Sequence, residues 1–359
     1  MAFSYKKIVV KIGSNVLTKP DGLPDNHRIA HLVDQIVTLK KRGVTVVVVS
    51  SGAVASGRSM IRISENHDAV AARQLLASIG QIKLINTYLS LFEKQQMLCS
   101  QVLVTKEDFR DRKHYLNIKN CLSILLKHQV VPIINENDVV SVTELMFTDN
   151  DELAGLVASM LDADALIILS NVNGVYNGDP RSPDAVVIEE IKDNTAHISG
   201  FVSKAKSGAG RGGMITKLSM AQKVARLGIP VHIANGTLEG VLTGLMDKTV
   251  VHSYFVPDKN TSGKKKWIAH SEHSATGSVQ LNAGAAAALR SGQARSLLPV
   301  GITGILSSFE KGDIIRLLDE QDVLIGLGVA EYGADKAKER TGQKGQKPLV
   351  HYNYFYGVS

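Results

Sequence analysis

Six short apolar runs punctuate the first 245 residues: Ile8 to Ile12, Val44 to Val49, Val102 to Val104, Val130 to Ile134, Leu166 to Leu169 and Val231 to Ala234. They are β-branched and nearly continuous, the pattern of strands buried on both faces of a parallel sheet. Helical spacing fills the intervals. Ile118, Cys121, Leu122 and Leu125 recur at i, i+3, i+4 and i+7, which predicts a core position for Cys121. Leu153, Leu156, Val157, Met160 and Leu161 form a second such stripe, and Met214, Leu218, Ala221 and Ala225 a third. Strand and helix in alternation restrict the chain to a layered α/β fold with right-handed crossovers. Ligands then belong at the carboxyl ends of the strands.

The rhythm changes near residues 256–263, VPDKNTSG, a polar stretch with Pro and Gly that has the composition of a linker. Beyond it, Lys266 to Ala269, Ser278 to Leu281, Gly301 to Leu306, Ile314 to Leu318 and Val323 to Val329 are expected as short strands, with a helix over Gly284 to Leu289. The segment Ala337 to Lys347 is polar and expected to be mobile, and the closing HYNYFY to add an edge strand. The expected organisation is residues 1–255, a linker 256–263, a mostly β module 264–345 and a tail 346–359.

Hydrophobic residues make up 44% and charged residues 21%, which excludes a wholly disordered chain. No uninterrupted apolar run approaches the roughly 18 residues of a membrane span, and MAFSYKK leads directly into a strand without a signal-peptide core. Two cysteines support neither a disulfide framework nor a metal site, so a reducing cytoplasm is expected. The net charge of +7 fits nucleic acid or anionic small molecules. From residue 251 onward there are 13 Lys and Arg against 10 Asp and Glu, so the terminal module is no basic arm.

Chemistry concentrates where strands end. Lys11 closes the first strand before the Gly13 turn, offering a point charge for phosphate. Ser50-Ser51-Gly52-Ala53 is a tight strand-to-helix turn, either an anion seat or a helix cap by Ser51. Asn135-Glu136-Asn137-Asp138 places four polar residues directly after a buried strand, a costly position unless they face a ligand or a polar network. Asn150-Asp151-Glu152 opens a helix, where acids also complement the macrodipole. Ser170 begins a loop through Asn171, Gly174 and Tyr176 that suits a nucleotide base. Gly208 to Gly213 lead into a helix carrying Lys217 in its first turns. The spacing is not that of a Walker P-loop, but the donors are of the same kind.

In order and spacing, VVKIGS, SSGAVASG, RQLLASIGQ (Arg73 to Gln81), PIINEND, DND, NGVYNGDPR and GRGGMITK resemble the amino acid kinase family over about residues 8–235. The remainder resembles a PUA domain. The resemblance implies a three-layer α/β sandwich with a mainly parallel sheet, followed by a small, mostly β PUA-like domain. It implies ATP-dependent phosphorylation of the γ-carboxylate of L-glutamate, the first step of proline biosynthesis, with Mg²⁺ carried by ATP. By the same resemblance Lys11, Lys217 and Asp151 are catalytic, and Ser51, Asp138 and Asn150 bind glutamate. ATP falls to Lys11, Ser170, Asn171, Arg211, Gly212, Gly213, Met214, Ile215, Thr216 and Lys217. A homo-oligomer is implied, as is feedback inhibition by proline, with no membrane partner. The nearer alternative is another amino acid kinase with a different carboxylate or phosphate acceptor; RNA binding by the PUA-like domain is the competing class from outside the family, and its balance of +3 argues against it. The chain departs from the usual pattern in two places: many relatives carry Thr-Asp at Ser170-Asn171 and Thr at Arg211. Asn171 supplies no negative charge, whereas Arg211 adds a cation.

Overall fold

The computed structural model describes residues 3–62, 68–141, 150–192, 213–258, 263–269, 275–291, 293 and 295–357. The chain divides into two compact units, Met1–Asn260 and Thr261–Ser359. In the first, β1 (Lys7–Ile12), α1 (Ser14–Leu17), α2 (Asn26–Lys41), β2 (Thr45–Val49), α3 (Ala53–Arg58) and α4 (Ala69–Lys94) precede β3 (Cys99–Val104). Next come α5 (Lys106–Arg110), α6 (Arg112–Lys127), β4 (Val131–Glu136), α7 (Asn150–Leu161), β5 (Ala165–Ser170) and β6 (Glu190–Ile191). The unit continues with α8 (Met214–Arg226), β7 (Val231–Asn235), α9 (Val241–Asp247) and β8 (Ser253–Phe255).

The strands form one sheet in the order β3-β4-β2-β1-β5-β7-β8-β6. Pairing is parallel from β3 through β7, and β8 runs antiparallel to β7. Helices α2, α4 and α9 lie on one face, while α6, α7 and α8 pack on the other. The three layers follow from strand burial on both sides, since every described residue from Ile8 to Ile12 and from Val46 to Val49 is buried. The chain runs from β1 outward through β2 to β4 and β3, then returns to β5 on the other side of β1. This reversal is the topological switch point at which such sheets bind ligands.

Two glycines explain the small-residue motifs. A Cβ at Gly57 of α3 would overlap the Leu76 carbonyl, and one at Gly80 of α4 would overlap the Ala53 carbonyl. Helices α3 and α4 thus meet backbone to backbone. With 26 residues, α4 also has the length and mean hydropathy of a membrane span. It does not stand out in the sequence as one, because Arg73, Gln81 and Lys83 interrupt its apolar run. Its Leu84, Tyr88 and Phe92 are buried in the core of the first unit.

Cys121 is exposed, contrary to expectation. The buried stripe of α6 is centred on Tyr115 and Leu122, and Cys121 lies a helical step of about 100° away. The polar stretch after β8 is partly secured, with the Val256 and Asp258 N–H groups donating to the Ile191 and Ala225 carbonyls.

The second unit has a five-stranded sheet, with α10 (Gly263–Ala269), β9 (Gly277–Leu281), α11 (Ala283–Arg290), β10 (Ile302–Ile305) and β11 (Ile314–Leu318) followed by β12 (Leu324–Val329), α12 (Ala334–Arg340) and β13 (Phe355–Gly357). The strand order is β10-β9-β11-β12-β13, and the closing aromatic segment supplies the edge strand. Two expectations are corrected. Lys266 to Ala269 is helical, with four consecutive buried residues that cannot alternate as a strand would. The segment from Ala337 is ordered: α12 buries Ala337, and the Tyr332 hydroxyl donates to the Lys347 carbonyl.

Candidate active site

Side chains of β1 alternate between the two faces of the sheet. Ile8, Val10 and Ile12 join the core beneath α2 and α4, which turns Val9 and Lys11 toward α7. Lys11 is 3% exposed and its Nζ lies 2.6 Å from Oδ1 of Asp151, itself 1% exposed. The second oxygen, Oδ2, accepts from Lys217 Nζ at 2.6 Å. A single carboxylate therefore fixes two ammonium groups that come from β1 and α8, elements far apart in sequence. The cluster carries a formal +1 at the switch point, a ready seat for an anion. The acids at the start of α7 do not serve only its macrodipole: Asp151 holds these lysines, and Glu152 pairs with Lys106 at 2.9 Å.

Beside this cluster lies a neutral polar one. Gly52, at φ +99°, supplies the left-handed turn that caps α3, and no side chain caps it. The alternative of Ser51 as helix cap is thus corrected: its Oγ instead accepts from Asn150 Nδ2 at 2.9 Å. The same amide nitrogen lies 2.7 Å from the Ser50 carbonyl and 3.1 Å from Asn135 Oδ1, so its two N–H groups are shared among three acceptors. Asn135 donates in turn to Gln81 Oε1 of α4 at 2.9 Å. Ser50 Oγ is 2.9 Å from the Tyr88 hydroxyl, whose pKa burial pushes up to about 12.

Asp138 extends this polar face. It is buried, and its Oδ1 accepts from Nε and Nη2 of Arg73 at 3.0 and 2.5 Å. Glu136 Oε2 lies 3.8 Å from the same guanidinium. Asn135 belongs to the polar run of PIINEND, but the sequence alone does not single out Arg73 and Gln81 of RQLLASIGQ as site residues. Their placement depends on α4 crossing the end of β4, which no local pattern reveals.

On the other side of Lys11, β5 ends at Ser170, which is buried, and Asn171 is exposed. Gly13 N–H donates to the Leu169 carbonyl at 3.2 Å, so the β1 and β5 termini open together. Gly213 caps α8 without a side-chain bond, and Thr216 Oγ1 donates to its carbonyl at 2.7 Å. Met214, Ile215, Thr216 and Lys217 thus form the exposed or half-buried first turn that faces the cluster through Lys217. Arg211 and Gly212 lie outside the described residues.

Among the described residues no three His, Cys, Asp or Glu side chains gather as a metal cage. Asp151 is engaged on both oxygens by lysines. The donors around the cluster therefore suit a phosphate, or a metal ion arriving on one.

The amino acid kinase family model matches residues 6–235, and the PUA domain model matches residues 277–352. A glutamate 5-kinase of Bacteroides thetaiotaomicron is 49% identical over 99% of both chains. One from Chlorobaculum tepidum is 50% identical over 99% of this chain and 98% of its own. Among solved structures, carbamate kinase from Giardia lamblia, bound to AMP-PNP, superposes with a TM-score of 0.51 at 16% identity. It covers 71% of this chain and 99% of that one, which supports the fold. With two matched domains and near full-length identity to its relatives, this chain belongs to the amino acid kinase family, in the glutamate 5-kinase branch that carries a C-terminal PUA domain.

Proposed function

We propose that the first unit transfers the γ-phosphoryl group of ATP to the γ-carboxylate of L-glutamate, giving γ-glutamyl phosphate and ADP, as the first step of proline biosynthesis. The observation that carries this reading is the pair of lysines, Lys11 buried and Lys217 half-buried, held by the buried Asp151 at the switch point. The acceptor carboxylate is already ionised at neutral pH, so no general base is needed. One of its oxygens forms the new P–O bond while the bond from the γ-phosphorus to the β–γ bridging oxygen breaks, and ADP leaves with that electron pair. The obstacle is repulsion between two anions, and catalysis rests on positioning and charge.

Lys11 and Lys217 flank the transferring group, and Asp151 keeps both in place before substrate arrives. Such preorganised charge reduces the reorganisation needed during reaction. Ser51 and Asn150 orient the acceptor carboxylate, and Asp138 takes the α-ammonium. Ser170, Asn171 and the residues Arg211 to Lys217 hold the nucleotide. A divalent cation, which we assign as Mg²⁺, would be carried by the ATP phosphates, since Asp151 is engaged by both lysines, and would offset phosphate charge. We also propose a cytoplasmic homo-oligomer inhibited by proline, by analogy with relatives.

The test is ADP release with glutamate, N-acetylglutamate, aspartate and UMP as acceptors, with hydroxylamine trapping of the acyl phosphate. Glutamate-dependent ADP release with a trapped hydroxamate is expected. Faster turnover with another acceptor would overturn the assignment.

A further inference from the structure

Arg73 does more than neutralise Asp138. Its Nε and Nη2 both converge on one oxygen, Oδ1 of Asp138. Neither the other carboxylate oxygen, Oδ2, nor the remaining guanidinium nitrogen, Nη1, has a partner among the described residues. The Asp138 side chain is 8% exposed and that of Arg73 is 28% exposed, so a small ligand can reach both. Side by side there is thus an acceptor suited to an ammonium and a planar donor suited to a carboxylate. An α-amino acid head group presents that pair of charges on one carbon.

The placement is secured independently of any ligand. Gln74, the next residue of α4, donates to the Val139 carbonyl at 2.8 Å, tying the start of α4 to the turn after β4. Further along α4, Gln81 reaches Asn135, which bonds Asn150. The start of α4 is thereby joined through the β4 end to Asn150, proposed with Ser51 to hold the acceptor carboxylate. Charge supports the same conclusion. Arg73, Asp138 and the buried Glu136 sum to a formal −1. A zwitterionic head leaves that sum unchanged, whereas a head with only a carboxylate would raise it to −2.

We infer that Arg73 is a specificity-determining residue that binds the α-carboxylate of the substrate through Nη1 while Asp138 binds the α-ammonium through Oδ2. This rests on glutamate being the substrate and names how that site selects α-amino acids. Three substrates separate the contributions. Glutamate has both head charges, 4-aminobutyrate lacks the α-carboxylate, and glutarate lacks the ammonium.

Activity of the wild-type chain on glutamate, measured first, tests the acceptor assignment by itself. The wild-type kcat/KM should then favour glutamate over 4-aminobutyrate by roughly 10- to 100-fold, the span of one charge-assisted hydrogen bond. Arg73→Met should collapse that preference, raising KM for glutamate with little change in KM for ATP, and leave the preference over glutarate largely in place. Arg73→Lys, which keeps the charge, should retain an intermediate preference. Asp138→Asn should do the opposite, collapsing only the preference over glutarate. An equal loss on glutamate and 4-aminobutyrate in Arg73→Met would make Arg73 a mere support for Asp138 and overturn the proposal. So would a wild-type chain that uses 4-aminobutyrate as well as glutamate, a comparison that requires no variant to fold.

Discussion

Replacing Asp151 by Asn tests the electrostatic core of the mechanism with almost no change in shape. In the wild-type chain each oxygen of Asp151 lies 2.6 Å from a lysine Nζ, and the side chain is 1% exposed. At an effective dielectric constant of about 20, each contact is worth roughly 6 kcal/mol of gross Coulomb attraction. Much of that offsets desolvation, and the net cost of stranding buried cations is about 3–5 kcal/mol. Asn keeps one acceptor but turns an N–H₂ group toward one of the ammonium groups. Lys11 and Lys217 should then lose their common anchor and repel each other. We expect kcat to fall by roughly 10²–10³-fold, the range for loss of one preorganised charge contact, with folding checked by circular dichroism. Lys217→Met should cost about as much, and Asp151→Asn with Lys217→Met little more than the worse single change, because the two residues act as a unit. Coupled ADP release under saturating ATP and glutamate provides the measurement. If the double variant loses the product of the two single losses, Asp151 does not act through Lys217 and the proposed mechanism fails.

Three other outcomes follow from the structure. Gly80→Ala should destabilise the first unit strongly, because its Cβ would enter the Ala53 carbonyl; a denaturant midpoint equal to wild type would show that α3 and α4 can separate without cost. His232 is buried, and desolvation, aided by His252 and Lys248, lowers its pKa from 6.5 to about 3. The unfolded chain binds the extra proton between those values, so the stability contribution is complete above pH 6.5 and declines as pH falls toward 3, by up to about 1.4 kcal/mol per unit. His232→Gln should flatten the slope of unfolding free energy between about pH 6.5 and 5, and an unchanged slope would remove His232 as its source. Finally, a chain ending at Asp258 should retain glutamate-dependent ADP release, since every described site residue lies before Arg226 and Asp258 is bonded to the Ala225 carbonyl. A folded but inactive truncation would mean the PUA unit completes the site.

Much of the fold and the site is legible in the sequence, for physical reasons that differ between residues. The buried strands announce themselves because a parallel sheet needs uninterrupted β-branched runs, and Lys11 stands out as the one charge within such a run. The four polar residues from Asn135 to Asp138, at and just beyond the end of β4, are equally visible, since polar groups at the end of a buried strand require partners. What stays hidden is pairing across distance. Nothing local in RQLLASIGQ says that Arg73 meets Asp138 or that Gln81 meets Asn135, because those contacts depend on the angle at which α4 crosses β4. The same limit misplaces Cys121, where the periodic stripe is real but its centre lies one step away. Lys266 to Ala269 fails for another reason: four residues are too few to distinguish a period of two from one of 3.6.

Polar clusters of opposite sign, joined by neutral amides, fit the proposal that the site takes an amino acid at one end and a phosphoryl group at the other. Lys11, Asp151 and Lys217 carry a formal +1, and Arg73, Glu136 and Asp138 a formal −1. Asn150 adjoins Asp151 in sequence, Asn135 adjoins Glu136, and Asn150 Nδ2 donates to Asn135 Oδ1 at 3.1 Å. Buried ion pairs are weak sources of stability, because desolvation consumes most of their attraction. Two such clusters in one site are better understood as preorganisation. In the proposed reaction the positive end would meet developing phosphoryl charge, and the negative end would gain from an ammonium. An acceptor carboxylate held between them, at Ser51 and Asn150, would lie where the field draws it toward the lysines. A plain dicarboxylate would instead place a second anion against Glu136 and Asp138, so discrimination and catalysis would draw on the same arrangement of charge.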